Sequence, residues 1–80
     1  MTFSDAISKR LYELCSERHI TPNKLATLSG IRQSTLEDII LGRTKNPGLR
    51  TLHRIAVGLN ITLAQLLDFP LMNETQFDDE

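Results

Sequence analysis

The chain has 80 residues, of which 40% are hydrophobic, 24% charged and 5% aromatic, and its formal net charge is −1 at pH 7. This length supports one domain with one core and excludes an enzyme built from separate cofactor and substrate domains. The composition is that of a folding domain and excludes a disordered or collagen-like chain. We therefore expect a single folded unit in which one surface carries the function.

Cysteine content and hydropathy predict a soluble protein of the cell interior. Cys15 is the only cysteine, so an intramolecular disulfide and a cysteine-rich zinc site are both excluded. No apolar run approaches the ~20 residues of a membrane span, and the N-terminus lacks the pattern of a signal peptide. We therefore expect a cytoplasmic, unprocessed protein with no membrane partner.

The charges are distributed unevenly along the chain. Residues 1–67 contain all nine Lys and Arg but only five of the ten acids, so this part has a net charge of +4. Residues 68–80 contain the other five acids and no basic residue. The net charge of the whole chain therefore conceals a basic body, which is compatible with a polyanionic partner.

Apolar residues recur three and four positions apart, without sustained alternation, and this spacing predicts an all-α domain. The first predicted helix spans residues 4–18, and Thr2 or Ser4 can supply the hydroxyl that caps it. Cys15 lies on its apolar face with no evident base nearby in the sequence. We interpret Cys15 as a small core residue rather than a nucleophile.

The second and third predicted helices are short and are separated by a tight turn. Thr21 caps the second helix, and Pro22 occupies its first position, where a missing N–H costs nothing. Gly30 can adopt the left-handed conformation that ends this helix. The third helix is predicted to begin near Gln33 and to end at Gly42.

Two more helices are predicted after a loop. The loop, residues 43–48, combines turn-forming residues with two cations and no apolar residue. The fourth helix is predicted over residues 49–59. Thr62, with Gln65 three residues later, has the spacing of a capping box and predicts a short fifth helix as far as Asp68.

The end of the chain is predicted to be a tail. Pro70 prevents easy continuation of the fifth helix, and the segment LMNETQFDDE that follows it is polar and acidic. The predicted domain therefore covers residues 1–69, and residues 70–80 are predicted to be an acidic, flexible C-terminal tail.

The second and third helices, joined by a turn that contains Gly30, have the helix-turn-helix arrangement. The third helix begins with amide and hydroxyl side chains at Gln33, Ser34 and Thr35. The major groove of B-DNA is about 12 Å wide and admits one α-helix, whose N-terminal side chains can reach base edges. These residues therefore predict a surface that binds double-stranded DNA, and the alternative interpretation is a solvated first turn.

Two consecutive segments carry a family pattern: LATLSGIRQSTLEDIILGRTKNP at residues 25–47 and LRTLHRIAVGLNITLAQLL at residues 49–67. These two segments carry a resemblance to the Cro/phage-repressor type of helix-turn-helix regulators. The resemblance extends over the chain from about residue 7 to residue 69. The resemblance implies a five-helix, lambda-repressor-like DNA-binding domain that acts on transcription. It also implies a homodimer on a pseudo-palindromic operator.

The resemblance further implies which residues contact DNA. The family's base-reading positions fall on Gln33, Ser34 and Asp38. Gln33 can bond the N6 and N7 edge of adenine, whereas Asp38 can accept only from a donor such as cytosine N4 and otherwise imposes a charge penalty near phosphate. Contacts to the DNA backbone or to flanking positions are expected from Arg32, Thr35, Asn23, Arg43, Thr44 and Lys45.

Two departures from the family pattern bear on the site. Where the family often has Gln at the start of the second helix, this chain has Pro22, so Asn23 is the expected substitute. Where the family often pairs an Arg in the first helix with a Glu late in the third, this chain has Cys15 and Ile40. Since apolar residues can replace a buried ion pair without loss, we predict that Cys15 and Ile40 are in contact.

The main hypothesis is a sequence-specific regulator of transcription, a repressor that blocks a promoter sterically as a homodimer. The alternative is a protein-interaction module of the helix-turn-helix type, antitoxin-like or antirepressor, which Pro22, Asp38, the poor helix cap Arg32 and the acidic tail favour. No glycine-rich phosphate loop is present, and His19 and His53 lack the spacing of metal ligands. We therefore expect no catalysis, no cofactor and no metal.

Overall fold

The computed structural model describes residues 2–74, which form six α-helices and no strand. The helices are α1 Phe3–Glu17, α2 Pro22–Ser29, α3 Gln33–Ile40, α4 Leu49–Gly58, α5 Leu63–Leu67 and α6 Pro70–Glu74. The all-α prediction is confirmed, and each of the five predicted helices is present. None of the helices in this range is both long enough and apolar enough to span a bilayer.

Hydroxyl side chains fix the starts of three helices. The Thr2 hydroxyl accepts from the Asp5 N–H, and the Asp5 carboxylate accepts from the Thr2 N–H at 3.1 Å. This backbone hydrogen bond favours the ionised carboxylate and so lowers the pKa of Asp5; acid weakens this bond, whereas the bond to the Thr2 hydroxyl does not titrate. Thr21 caps α2, and Thr62 with Gln65 forms the predicted capping box at α5.

Four helices end in the same left-handed turn. The left-handed residue has a φ between +54° and +73°. It is His19 after α1, Gly30 after α2, Gly42 after α3 and Asn60 after α4. The next N–H in the chain then bonds a carbonyl five residues back, as Ile20 does to Cys15 at 3.1 Å. These turns satisfy carbonyls at the helix ends and reverse the chain within a few residues.

The core receives at least one fully buried side chain from each of the first five helices. Leu11, Leu25, Leu36, Ile55 and Leu66 represent α1 to α5 in turn, and each is at most 1% exposed. They belong to one cluster of buried apolar residues. Since every one of these helices is anchored in the same cluster, the helix-turn-helix is held on the rest of the domain.

Cys15 and Ile40, which the resemblance places where an ion pair is often found, are both buried in this cluster, with 5% and 3% exposed. Desolvation by burial raises the pKa of the Cys15 thiol, and the charge of Arg18 opposes that shift. A buried, neutral thiol is suited to packing and not to nucleophilic chemistry. The direct contact of Cys15 with Ile40 stays a prediction.

Residues 70–74 differ from the prediction. The sequence predicts no helix here, but α6 spans Pro70–Glu74 and lies against α1. Pro70 interrupts α5 and also begins α6, because proline is tolerated at the first position of a helix. The sequence thus did not predict α6, whereas the domain boundary at residue 69 and the flexible tail stay predictions, and residues 75–80 lie outside the described part of the chain.

Arg10 connects α1 to the end of α5. Its Nε donates to the carbonyl of Leu66 at 3.1 Å, and its Nη2 donates to the carbonyl of Gln65 at 2.9 Å. The centre of the guanidinium lies 5.0 Å from the centre of the Phe69 ring. Arg10 thus stabilises the C-terminal carbonyls of a short helix and makes a cation–π contact with a buried aromatic ring.

Helices α2 and α4 approach closely at Ser29 and Gly58. A Cβ added to Gly58 would lie 2.9 Å from the Ser29 nitrogen and 3.0 Å from its Cα. The Ser29 hydroxyl is buried here, and it has no hydrogen-bond partner within residues 2–74. Position 58 therefore requires glycine because the backbone of α2 occupies the space of a side chain.

Gly58→Ala is predicted to lower the free energy of unfolding by about 1–3 kcal/mol, although alanine is the better helix former, because the two helices must move apart. Urea denaturation monitored by circular dichroism measures the change. The control is Gly48→Ser, since a Cβ there meets no atom within 4 Å and serine can still cap α4. The control should change stability by no more than about 0.5 kcal/mol, and equal losses for both variants would contradict the close approach.

Candidate nucleic-acid interface

Two short helices and a glycine turn form the candidate site. Helix α2 ends at Ser29, Gly30 takes a left-handed φ of +67°, and α3 begins at Gln33. The two helices are in contact, and α3 also lies against α1. One face of α3 enters the core through Leu36, Ile39 and Ile40. The remaining face of α3 is therefore available to a partner.

The structure places the three predicted base-reading residues on α3 outside this buried stripe. Gln33 and Ser34 are exposed in the first turn, and Asp38 follows one turn later with half of its side chain exposed. Arg32 precedes the helix, is exposed and supplies no side-chain cap, as its poor capping ability predicts. Thr35 is half-buried at the edge of the same face. The predicted residues thus come together on one surface.

A groove of about 360 Å³ lies between α1, the start of α2 and α3. Asn23, the expected substitute for the donor that Pro22 lacks, lines this groove together with Gln33. Tyr12 and Leu41 line it too, and each is 52% exposed. Neither residue is among the predicted contacts, although Tyr12 is the only tyrosine of the chain and does not share the apolar face of α1.

Asp38 is bound to the residues that follow α3. Its carboxylate Oδ1 lies 3.2 Å from Nε of Arg43, and its carbonyl accepts from the N–H groups of Arg43 at 2.8 Å and Thr44 at 3.2 Å. A second carboxylate, that of Glu37, lies 3.9 Å from Nη2 of Arg43. The side chains in these ion pairs are at least half exposed to solvent, so the pairs contribute little to stability. They do, however, offset the charge of a predicted phosphate-binding cation.

The loop after α3 carries the other predicted contacts to the DNA backbone. Lys45 is exposed, and Thr44 is half-buried. The charge of Lys45 is the smallest of the causes that lower the pKa of Asp5, after the dominant hydrogen bond from Thr2, so the loop lies within electrostatic reach of the α1 N-terminus. Arg43, by contrast, is paired with two carboxylates of α3.

The described residues contain no cluster of metal-ligating side chains. Within residues 2–74, no group of three or more His, Cys, Asp or Glu side chains could hold a metal ion. The chemistry of the exposed α3 face is that of hydrogen-bond donors and acceptors on a rigid helix.

Comparison with known proteins identifies the family. The family model of the Cro/C1-type HTH (helix-turn-helix) DNA-binding domain matches residues 10–71. Among solved structures, the chain is similar to the crystal structure of the prophage Lp1 protein 11, with a TM-score of 0.80 and 35% sequence identity. That similarity covers 94% of this chain and 99% of the other. No curated protein sequence matches the chain. The chain therefore belongs to the Cro/C1-type helix-turn-helix DNA-binding domains.

Proposed function

We propose that the protein is a sequence-specific regulator of transcription that binds double-stranded DNA and represses by occluding a promoter as a homodimer. One observation carries the proposal: the first turn of α3 exposes Gln33 and Ser34 beside a groove that Asn23 lines from the start of α2. Two adjacent helices thus offer groups for bases and for backbone on one surface. The function needs no catalysis and no cofactor.

The proposed base contacts come from the exposed face of α3. Gln33 is at the first helical position, where its amide can bond adenine N6 and N7 in a bidentate manner. Ser34 can donate to or accept from a neighbouring base edge. Arg32 and Thr35 flank these two residues and are assigned to the adjacent DNA backbone.

The proposed phosphate contacts come from outside α3. Thr44 and Lys45 lie in the loop after it, and Asn23 is in the first turn of α2. Arg43 joins them once its pairing with Asp38 is exchanged for a phosphate, since both ion-pair partners are accessible to solvent. These contacts fix the register of the protein on the duplex and do not select its sequence.

Dimerisation and location complete the proposal. A surface with so few cations makes few phosphate contacts, so a single domain binds weakly, and its affinity falls less steeply with salt than that of a protein with many such contacts. Two domains on half-sites about 34 Å apart place two copies of α3 in successive major grooves and combine their affinities. We place the protein in the cytoplasm, with the DNA that it regulates.

Gln33→Ala is predicted to relax discrimination at one defined base pair by about 1–3 kcal/mol, because one bidentate contact is lost. Lys45→Ala is predicted to weaken binding to all duplexes alike and to reduce the slope of log K against log salt by about one. Selection of bound sequences from a random pool identifies the site, and fluorescence anisotropy on single-substituted duplexes measures both effects. Equal, sequence-independent losses for the two variants would refute the assigned roles.

Asp38→Asn is predicted to raise affinity for every duplex several-fold, because it removes a negative charge from the DNA-facing helix and releases Arg43 for phosphate. Titration at two salt concentrations measures the gain, which should shrink at the higher one. The control is Glu13→Gln, which removes an exposed acid from α1 without touching α3. A loss confined to one base pair would instead identify Asp38 as a reader of cytosine.

Repression is predicted to require two chains on one operator. A duplex with two half-sites one helical turn apart should bind two copies cooperatively, and a duplex with one half-site should bind much more weakly. In transcription in vitro, the protein should reduce initiation from a promoter that overlaps the operator, and displacing the operator upstream should remove the effect. Unchanged or increased initiation from the overlapping promoter would contradict steric repression.

A protein-interaction module is the second candidate, and one observation favours it. Tyr12 and Leu41 expose apolar surface beside α3, where a polypeptide could bind in place of DNA. A gel shift with random genomic fragments at low salt separates the two functions. Salt-sensitive retardation of the fragments supports the regulator, and its absence supports the interaction module.

A further inference from the structure

Tyr12 contributes a hydroxyl group to the candidate interface from outside the helix-turn-helix. It belongs to α1, but it lines the groove that also contains Gln33 and Pro22. Half of the residue is exposed, and its hydroxyl makes no hydrogen bond within residues 2–74. An accessible donor without a protein partner therefore lies in the same groove as the residue proposed to read a base.

The walls of this groove combine apolar and polar chemistry. Pro22, Ile40 and Leu41 are apolar, whereas Asn23 and Gln33 carry amides. The backbone of DNA has the same mixed character, since the deoxyribose presents C–H groups and the phosphate presents acceptor oxygens. A neutral hydroxyl donor between apolar neighbours fits a sugar-phosphate unit at this place.

The start of α2 offers fewer donors than the family pattern would, because Pro22 replaces a glutamine there. Pro22 has neither an N–H nor a side-chain donor, and the N–H of Lys24 is already used by the hydroxyl of Thr21 at 3.1 Å. The remaining donors at the start of α2 are Asn23 and the O–H of Thr21, which still can donate while its oxygen accepts from Lys24. The phenol of Tyr12 can supply the donor that Pro22 lacks. Although Tyr12 belongs to α1 and Pro22 to α2, both residues line the same groove.

We propose that the hydroxyl of Tyr12 is a further DNA contact, which donates a hydrogen bond to a phosphate oxygen beside the base pair read by Gln33. This inference rests on the proposed DNA-binding function and adds a contact from α1 to it. The carboxylate of Glu37 lines the same groove, but it lies 3.9 Å from Nη2 of Arg43, and this pairing limits its repulsion of phosphate.

The test is Tyr12→Phe, which removes the hydroxyl and retains the ring. We expect affinity to fall about fivefold, the typical effect of one hydrogen bond, for a selected operator and for a random-sequence duplex alike. The slope of log K against log salt should not change, because a neutral donor releases no counterion. The thermal midpoint should also be unchanged, because the hydroxyl has no partner in the protein.

The matched control is Ser16→Ala, which removes an exposed hydroxyl one turn further along α1 that does not line this groove. It should leave affinity unchanged. A second measurement locates the contact: a duplex in which one phosphate is replaced by a neutral methylphosphonate should bind the original protein more weakly. At the phosphate that Tyr12 contacts, the same replacement should lower the affinity of Tyr12→Phe little or not at all, because this variant has already lost the contact.

The outcomes are distinct. Unchanged affinity of Tyr12→Phe, or losses that add at every methylphosphonate position, would overturn the contact while leaving the DNA-binding function intact. Failure of the unaltered protein to bind any duplex at low salt would refute the proposed function itself, and the contact with it. A fivefold loss that is shared with Ser16→Ala would assign the effect to α1 as a whole and would also overturn the proposal.

Discussion

Burial of one face of α3 is the constraint on which the rest of the interface depends. Leu36 is completely buried, and Ile39 and Ile40 on the same face are nearly so. A helix that is fixed along one stripe has no freedom to rotate, so the residues between these positions are presented in a set direction. The exposed positions of Gln33 and Ser34 therefore follow from packing inside the domain rather than from any property of the polar residues themselves.

The parts of the fold that depend on local chemistry could be predicted from the sequence. The capping box of Thr62 and Gln65 and the left-handed turn at Gly42 each involve residues close together in the chain. Helix α6 could not be predicted in this way. Pro70 is equally compatible with a stop and with a start, and the choice depends on packing against α1 and on the distant contact between Arg10 and Phe69.

The same distinction applies to the interface. The periodicity of α3 was sufficient to predict which of its residues point away from the core. The pairing of Asp38 with Arg43 and the presence of Tyr12 beside Gln33 required the folded chain, because side-chain pairing across a helix end and the approach of α1 both depend on tertiary geometry. Residue type and spacing thus predicted the principal surface but not its neighbours.

The internal use of two arginines has a consequence for how the protein finds a partner. Arg10 is directed to carbonyls of its own chain, and Arg43 is balanced by a carboxylate. Long-range attraction to a polyanion scales with uncompensated surface charge; the carbonyls leave the charge of Arg10 in place, but the carboxylate offsets that of Arg43 and so reduces the acceleration of diffusional encounter. Discrimination between targets then depends mainly on how long each complex survives after collision, and dissociation rates rather than capture rates set the occupancy of a site.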